Sequence, residues 1–222
     1  MLIGHYSAAF LAKRMAPQVP LPVYFAACQL LDIFWAVFVM LGVEKLRLIP
    51  GFTASNPLDL YFMPYTHSLP AAVAWSVAAA CVYFFVVPRS ARSTRGALMV
   101  GAVVGSHWLL DLLVHRQDLP LMIDDIKVGL GLWDYRYPAL LLELGLFWAG
   151  FLFSLKQAGE NRRRYLILAI AMTAIQVSTL VIPLPSLDYL LALQLLFVYV
   201  ALTWGSYMAD RRLTGKGIGE LE

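Results

Sequence analysis

Charged side chains are scarce in this 222-residue sequence. Only 14% of the residues are Asp, Glu, Lys or Arg and 60% are hydrophobic, whereas about one quarter of an ordinary soluble domain is charged. The mean hydropathy is +0.70. Such a chain would precipitate in water unless lipid covered it. The composition therefore indicates an integral membrane protein with one membrane-embedded domain over residues 1–222.

Cysteine is scarce as well. Cys28 and Cys81 lie inside apolar runs, which argues against a disulfide framework and against a CxxC metal site. The sequence shows no internal repeat and no low-complexity segment. The N-terminus lacks the order of a signal peptide, because its basic pair, Lys13 and Arg14, follows the apolar stretch instead of preceding it.

Long apolar runs, in contrast, are abundant. A helix needs about 20 mostly apolar residues to cross a bilayer, and six runs reach or approach that length: 22–42, 68–87, 96–114, 138–155, 165–183 and 188–208. Prolines such as Pro22, Pro88 and Pro138 mark many of the boundaries, as expected where helices start or stop. The prediction is an all-α, polytopic membrane helix bundle with about six transmembrane helices.

The N-terminal segment 2–16 has helical character but is too short to span. Two placements are open: an amphipathic helix on the inner membrane surface, or a re-entrant helix that dips in from the cytoplasmic side with Lys13 and Arg14 at the interface.

Lysine and arginine are divided unevenly between alternate loops. Twelve of the 17 lie on the side that carries both termini, and the other side has five: Lys45, Arg47, Arg116, Lys127 and Arg136. By the positive-inside rule the richer side is cytoplasmic. We therefore expect a multi-pass protein of the bacterial inner (plasma) membrane with both termini in the cytoplasm, further transmembrane helices over 121–213 and a cytoplasmic tail over 214–222.

Several ionisable side chains interrupt these apolar runs. Each costs about 2.5–3.5 kcal/mol at membrane depth, so such groups usually face the bundle interior and have a partner. A helical rise of about 1.5 Å per residue puts several of them at similar depths, which predicts one shared cavity between the midplane and the outer face. The groups are His5 in the N-terminal helix, Asp32, His67, His107, Asp111 and Glu143.

The spacing of His107 and Asp111, four residues apart, puts both on one helix face, and His115 continues the stripe. Imidazole and carboxylate are ligands that a first-row metal such as zinc prefers, and His67 and Asp32 could complete a four-ligand site. A metal-bound water is a nucleophile at neutral pH. A leftover carboxylate, Asp32 or Glu143, could then be the general base.

Simpler structural roles stay open for the same residues. His107 and Asp111 could form a buried hydrogen bond that holds a bundle together, and Asp32 could be a proton-relay group. His5 could be an interfacial residue, and Glu143 could pair with Arg136 or Arg116. His115 and Arg116 could form the cationic end of a helix.

Four short elements add a resemblance to a known family. "GHYSAAFLAKR", "QLLDIFW", "YTHS" and "SHWLLD" occur in this order. The order resembles that of the bacterial inner-membrane family of membrane-bound metal-dependent hydrolases and, more distantly, that of the zinc-dependent phospholipase C class. The resemblance covers about the first 120 residues, the half that would carry the metal site. It implies a site formed by His5, Asp32, His67, His107 and Asp111, with Ser68 and Ser106 beside the ligands.

The sequence also departs from the family pattern. Phe34 stands where the family has a second Asp after "QLLD", and Met63 and Pro64 replace a His-Arg pair before "THS". The later stretches "HRQDLPL" and "KVGLGLWDY" indicate a distinct branch.

Three functions are consistent with these features. The first is a metal-dependent hydrolase that acts on a lipid or a phosphoester, with a divalent ion (zinc, or else manganese or iron), membrane lipid as its partner, and Arg116 and Arg136 binding an anionic head group. The second is a transporter or proton-coupled permease that uses the same buried groups as a relay. The third is a scaffold in which those groups specify helix packing. The basic loops are too short to indicate nucleic acid binding, and the oligomeric state stays open.

Overall fold

Eight α-helices form most of residues 1–123 and 125–211, the parts of the chain that this computed structural model describes. The predicted tail over 214–222 lies outside the described residues. The helices are α1 (Tyr6–Met15), α2 (Leu21–Cys28), α3 (Leu30–Met40), α4 (Leu69–Val86), α5 (Thr94–Val114), α6 (Arg136–Ser154), α7 (Arg162–Ser178) and α8 (Asp188–Asp210).

Four helical segments among the described residues are long and apolar enough to cross a membrane, or five if the bent pair α2–α3 counts as one. The four are α4, α5, the stretch Arg136–Ser178 and α8. Their composition suits lipid, since side chains such as Val77 and Phe85 on α4 are exposed. The mainly helical, membrane-compatible fold is confirmed, but the predicted number of about six spans is not.

The stretch Arg136–Ser178 turns back on itself. A 3₁₀ segment, Leu155–Asn161, joins α6 to α7, and Gly159 within it has φ 51, a left-handed conformation that favours glycine. Arg136, at the start of α6, donates a hydrogen bond to the carbonyl of Leu180, just beyond α7. The two helices are therefore antiparallel.

The run predicted over 22–42 as one helix is broken. α2 and α3 meet at Gln29 at an angle of 50°. The buried Gln29 side chain donates through Nε2 to the carbonyl of Leu2 (3.0 Å). A continuous helix was thus the wrong prediction, and the break coincides with the point where the N-terminal segment contacts the pair.

The N-terminal segment lies inside the bundle. Ile3, Tyr6 and Phe10 are fully buried, and α1 contacts α2, α5 and α6. Gly150 on α6 permits this packing, because a Cβ there would lie 2.7 Å from the carbonyl oxygen of Ser7. Of the two placements predicted for this segment, the surface helix is not the one found.

A buried ion pair fixes the far end of α1. Lys13 Nζ donates to Asp210 Oδ2 (3.0 Å) and to two carbonyls of the loop that follows (3.2 and 3.1 Å). Asp210 also accepts from the Leu21 amide (2.7 Å) and the Tyr165 hydroxyl (2.5 Å). We call Lys13, Tyr165 and Asp210 the lysine cluster.

Two antiparallel hairpins lie at the ends of the helices that are far from the lysine cluster. β1 (Lys45–Leu48) pairs with β2 (Leu58–Phe62), and β3 (Leu119–Pro120) pairs with β4 (Lys127–Val128). The second hairpin is tied to the first, because Lys127 Nζ donates to the carbonyl of Tyr61 (2.5 Å). The two hairpins are therefore in contact with each other.

Candidate metal centre

All four histidines of the chain converge on two aspartates at the centre of the bundle. His5 directly precedes α1, Asp32 lies on α3, His67 precedes α4, His107 and Asp111 lie on α5, and His115 follows α5. We call these six residues the histidine cluster. Its histidines and Asp111 are buried. Five of the six are the residues that the resemblance implies as metal ligands.

Asp111 contacts all four histidines. Its Oδ1 lies 3.1 Å from His5 Nε2, and its Oδ2 lies 3.1 Å from His107 Nε2. The Nε2 atoms of His67 and His115 are 3.8 and 3.7 Å from the same Oδ2. The nitrogen of Met1 lies 2.7 Å from Oδ1 and partners that oxygen.

Asp32 faces the cluster from α3. Its Oδ1 lies 3.3 Å from His67 Nε2 and 3.5 Å from His107 Nε2. Its other oxygen, Oδ2, accepts a hydrogen bond from the Tyr199 hydroxyl on α8 (3.0 Å). The tyrosine thereby orients the carboxylate so that Oδ1 points to the two imidazoles.

In two histidines, Nδ1 lies next to a group that can only accept a hydrogen bond. This partner fixes which ring nitrogen carries the proton. His107 Nδ1 lies 2.8 Å from the carbonyl of Cys28, the last residue of α2, whose carbonyl has no intrahelical partner to lose. His115 Nδ1 lies 2.9 Å from Asp118 Oδ1. A carbonyl or a carboxylate can only accept, so in each ring Nδ1 donates and Nε2 keeps its lone pair in the neutral imidazole.

His67 is oriented through a hydroxyl. Thr66 Oγ1 donates its one proton to Glu44 Oε2 (2.6 Å) and lies 2.8 Å from His67 Nδ1. It must therefore accept from His67, which again leaves the lone pair on Nε2. Glu44 also accepts the amides of Tyr65 (2.8 Å) and Thr66 (3.0 Å). Burial raises the pKa of the Glu44 carboxyl above its ordinary value, and these hydrogen bonds oppose the shift.

The result is a set of acceptor atoms that face one another, of which His107 Nε2 is fully buried. No described residue donates a hydrogen bond to any of five atoms: Asp32 Oδ1, Asp111 Oδ2 and the Nε2 atoms of His67, His107 and His115. His107 Nε2 is close to two carboxylate oxygens but makes no hydrogen bond with either. Buried polar groups are rarely left without a partner, and the histidine and aspartate side chains brought together here could hold a metal ion.

The distances suit a first-row divalent ion. Zinc binds imidazole and carboxylate at about 2.0–2.2 Å, which separates neighbouring tetrahedral ligands by about 3.3–3.5 Å. The separations between histidine and aspartate atoms in the cluster are of this size. Two sets of three side chains bring their ligand atoms within 4.8 Å of one another, and both contain His107: His5 with His107 and Asp111, and Asp32 with His67 and His107.

His5 completes the cluster from the inserted N-terminal segment. Its ring stacks on that of His107, with centroids 3.7 Å apart and planes 9° apart. Unlike the other histidines, His5 has no hydrogen-bond partner on Nδ1 among the described residues. It is therefore positioned by stacking and by the burial of α1.

Glu143, predicted with Asp32 as a candidate general base, lines a cavity beside the histidine cluster and is also tied to the N-terminal segment. Its Oε2 accepts the amides of Leu2 (2.8 Å) and Gly4 (3.4 Å). Among the described residues it makes no ion pair with Arg116 or Arg136, the pairing that the sequence left open. Its role as a base stays a prediction.

The remaining predicted site residues are not part of the histidine cluster. Ser68 caps α4, accepting from the Ala71 amide (3.2 Å) and donating to the Pro64 carbonyl. Ser106 donates to a carbonyl of its own helix. Arg116 binds the Phe52 carbonyl and pairs with Asp134 away from the cluster. Of the two predicted arginines, only Arg136 lines the cavity beside the cluster.

Sequence reasoning missed the residues that orient the ligands. Glu44, Thr66, Asp118 and Tyr199 were not among the predicted site residues. Thr66 and Asp118 had a local signal, since each lies within three residues of a histidine. Glu44 and Tyr199 are remote in sequence from the ligands that they orient, and only the fold brings them there.

No family model, curated protein or solved structure matches this chain. The resemblance to the membrane-bound metal-dependent hydrolases therefore stays an expectation. What can be said of function comes from the geometry of the cluster.

Proposed function

We propose that this protein is a metal-dependent hydrolase of the bacterial inner membrane that acts on a lipid or a phosphoester. One observation carries the proposal: acceptor atoms of five side chains of the histidine cluster, four of them from buried residues, face one another without a donor among the described residues, at the separations that ligands of one or two divalent ions require. The mixed imidazole and carboxylate donors favour zinc, and manganese and iron suit such donors as well.

His67, His107, Asp32 and Asp111 are the proposed core of the ligand set, with His5 and His115 at its edge. The ion would polarise an ester oxygen and make a water nucleophilic at neutral pH. In hydrolysis the water oxygen bonds to phosphorus or to the carbonyl carbon, and the ester oxygen leaves. One water proton goes to a protein base and returns to the leaving oxygen.

Glu143 is the proposed base. Two amides hold its Oε2, no described residue donates a hydrogen bond to Oε1, and the side chain lines the cavity. Arg136, which lines the same cavity, is the proposed partner for an anionic group of the substrate, since a guanidinium matches phosphate and carboxylate oxygens.

The proposed membrane arrangement has six spans and cytoplasmic termini. α2–α3 together with α4, α5, α6, α7 and α8 would be the spans. Contacts support the two-sided division of basic residues: Lys13 and Arg164 lie near the end of α8, by Asp210 and Arg211, whereas Arg116 and Lys127 contact the β1–β2 region.

A hydrolysis assay in lipid nanodiscs tests the proposal. The metal-loaded parent should release phosphate from phosphoesters, chelation should abolish the release, and zinc or manganese should restore it. His67→Ala should lose the activity, while Ser178→Ala, which removes a hydroxyl bound only to its own helix, should keep it. Metal-free parent protein that instead drives pH-dependent uptake would overturn the hydrolase in favour of a transporter.

A further inference from the structure

The histidine cluster forms one end of a cavity of about 530 Å³. Its acidic and histidine side chains are Asp32, His67, Asp111, His115 and Glu143, and further polar groups come from Ser55, Asn56, Arg136, Gln176, Thr179 and Tyr199. Most other side chains that line it are apolar and come mainly from α3, the β1–β2 hairpin, α6 and the α7–α8 segment, with Met1, Leu2 and Trp133 beside them. They include Trp35, Leu60, Met63, Leu140, Leu184 and Leu195. The part of the cavity at the histidine cluster is therefore suited to ions, and the larger apolar part is suited to hydrocarbon.

The edge of the cavity is apolar as well. Val181 and Ile182, in the connection between α7 and α8, line the cavity and are also exposed on the surface of the protein, Val181 to 81%. Exposed apolar side chains at the rim of a cavity mark a membrane or ligand contact. They adjoin α7 and α8, whose outward side chains are apolar too, including Ile170, Val177, Leu193 and Phe197.

An arginine side chain supplies a positive charge at this rim. Arg136 lines the cavity, and its guanidinium donates to the carbonyl of Leu180, directly before Val181. The cavity thus combines a metal-ligand cluster, an arginine and an apolar wall. A phosphate satisfies the first two, because it binds metal ions and guanidinium groups alike. An alkyl chain satisfies the third.

The size of the cavity suits a phosphate head group and the first part of one alkyl chain. At about 30 Å³ for each water-sized group, the cavity has room for roughly 18 non-hydrogen atoms. A phosphate and glycerol account for about ten of these, which leaves space for the first part of one alkyl chain; the rest can extend past the apolar rim.

From these observations we infer that the substrate is a single-chain lipid phosphoester, whose phosphate lies between the histidine cluster and Arg136 and whose chain lies along Leu140 and Leu195. This inference rests on the proposed hydrolase function and decides between the lipid and the soluble phosphoester that the proposal leaves open. A soluble phosphoester would leave the apolar wall without a partner.

A pair of adjacent leucines on α6 tests the inference. Leu140 lines the cavity, whereas Leu141 does not and is 68% exposed. Leu140→Trp should fill the space for the chain, and Leu141→Trp is the matched control. The substrates are lysophosphatidic acid and glycerol 3-phosphate, which share a phosphoester head and differ in the acyl chain.

The parent should hydrolyse lysophosphatidic acid with a kcat/KM at least about 100-fold above that of glycerol 3-phosphate, since burial of several methylenes contributes a factor of this order. Leu140→Trp should lower kcat/KM for the lipid at least tenfold more than that for glycerol 3-phosphate. Leu141→Trp should change neither. Equal kcat/KM values for the two substrates in the parent, or an equal loss for both in Leu140→Trp, would overturn the inference.

A binding measurement separates this inference from the hydrolase proposal. Native mass spectrometry of the chelated, inactive protein should show retained lysophosphatidic acid in the parent and in Leu141→Trp but not in Leu140→Trp. Retention without hydrolysis after metal loading would uphold the lipid site and overturn the hydrolase. Hydrolysis of glycerol 3-phosphate without lipid retention or lipid hydrolysis would do the reverse.

Discussion

Two buried polar clusters lie in contact with the N-terminal segment, and they differ in how their polar atoms are partnered. In the lysine cluster at the far end of α1, the ammonium of Lys13 makes three hydrogen bonds, and both oxygens of Asp210 accept at least one. In the histidine cluster, acceptor atoms of five side chains face one another with no donor among the described residues.

The difference separates a structural polar group from a functional one. A buried charge that only holds helices together needs its hydrogen bonds made within the protein, because a missing partner costs about 1–3 kcal/mol or more. A ligand site instead keeps lone pairs available for the ion. Each cluster can therefore be perturbed without the other, and the predictions below use one as the control for the other.

The largest expected effect is stabilisation by metal. A ligand that binds only the folded state adds about 4 kcal/mol to the free energy of unfolding at 1,000 times its dissociation constant. Zinc should give the chelated parent an increment of this order. The increment should vanish in Asp111→Ala. Denaturant titration followed by tryptophan fluorescence measures it, and an unchanged increment in Asp111→Ala would show that the metal binds elsewhere.

Lys13→Met should produce the opposite pattern. It leaves the Asp210 carboxylate partly buried without its counter-charge, which should lower the free energy of unfolding by about 3 kcal/mol. The increment from zinc should stay that of the parent, because Lys13 is at the other end of α1 from His5. The same titrations, with and without zinc, check this, and a lost increment would mean that the two clusters are coupled.

Loss of the groups that orient His67 should weaken metal binding without abolishing it. Thr66→Val removes the hydroxyl between Glu44 and His67, and the loss of such an outer partner typically costs 10–100-fold in metal affinity. Competition with a fluorescent zinc chelator measures the affinity. Thr173→Val, whose hydroxyl binds only the carbonyl of Ala169 in its own helix, is the control and should keep the parent affinity.

The smallest expected effect is a change in the stability of the metal-free protein, and its sign should differ between the two clusters. In metal-free protein, Asp32→Asn offers an amide N–H to the lone pairs of His67 and His107, and one new hydrogen bond contributes about 1 kcal/mol. The chelated variant should therefore be more stable than the chelated parent. Asp210→Asn should be less stable than the parent. If both substitutions destabilise, the acceptors of the histidine cluster are already partnered by protons.

Much of the helical framework follows from local pattern. The run predicted over 68–87 corresponds to the helix Leu69–Val86, and the run over 188–208 corresponds to the helix Asp188–Asp210. Both could be predicted because a long apolar stretch bounded by proline or polar residues has few structures available other than a helix. The break at Gln29 was not predictable in this way. Its side chain bonds to Leu2, a residue that only the tertiary fold brings near.

The site shows the same division. His107 and Asp111 share a helix face by their spacing alone, and the cost of ionisable groups in lipid predicted that His67 and Asp32 would join them. His115 was expected to end a helix, and it does follow α5. In addition, the hydrogen bond with Asp118 orients the imidazole of His115 toward Asp111. The contact from Glu44 spans 22 residues and that from Tyr199 spans 167, so no local pattern could reveal either.

The most direct test of the metal site is the metal content of the purified protein, measured by plasma mass spectrometry in the parent, His107→Ala and Lys13→Met, all prepared from metal-replete cells without chelator. The account predicts near-stoichiometric zinc, manganese or iron in the parent and in folded Lys13→Met, and background metal in folded His107→Ala. Metal-free parent protein, or equal metal in the parent and His107→Ala, would contradict it.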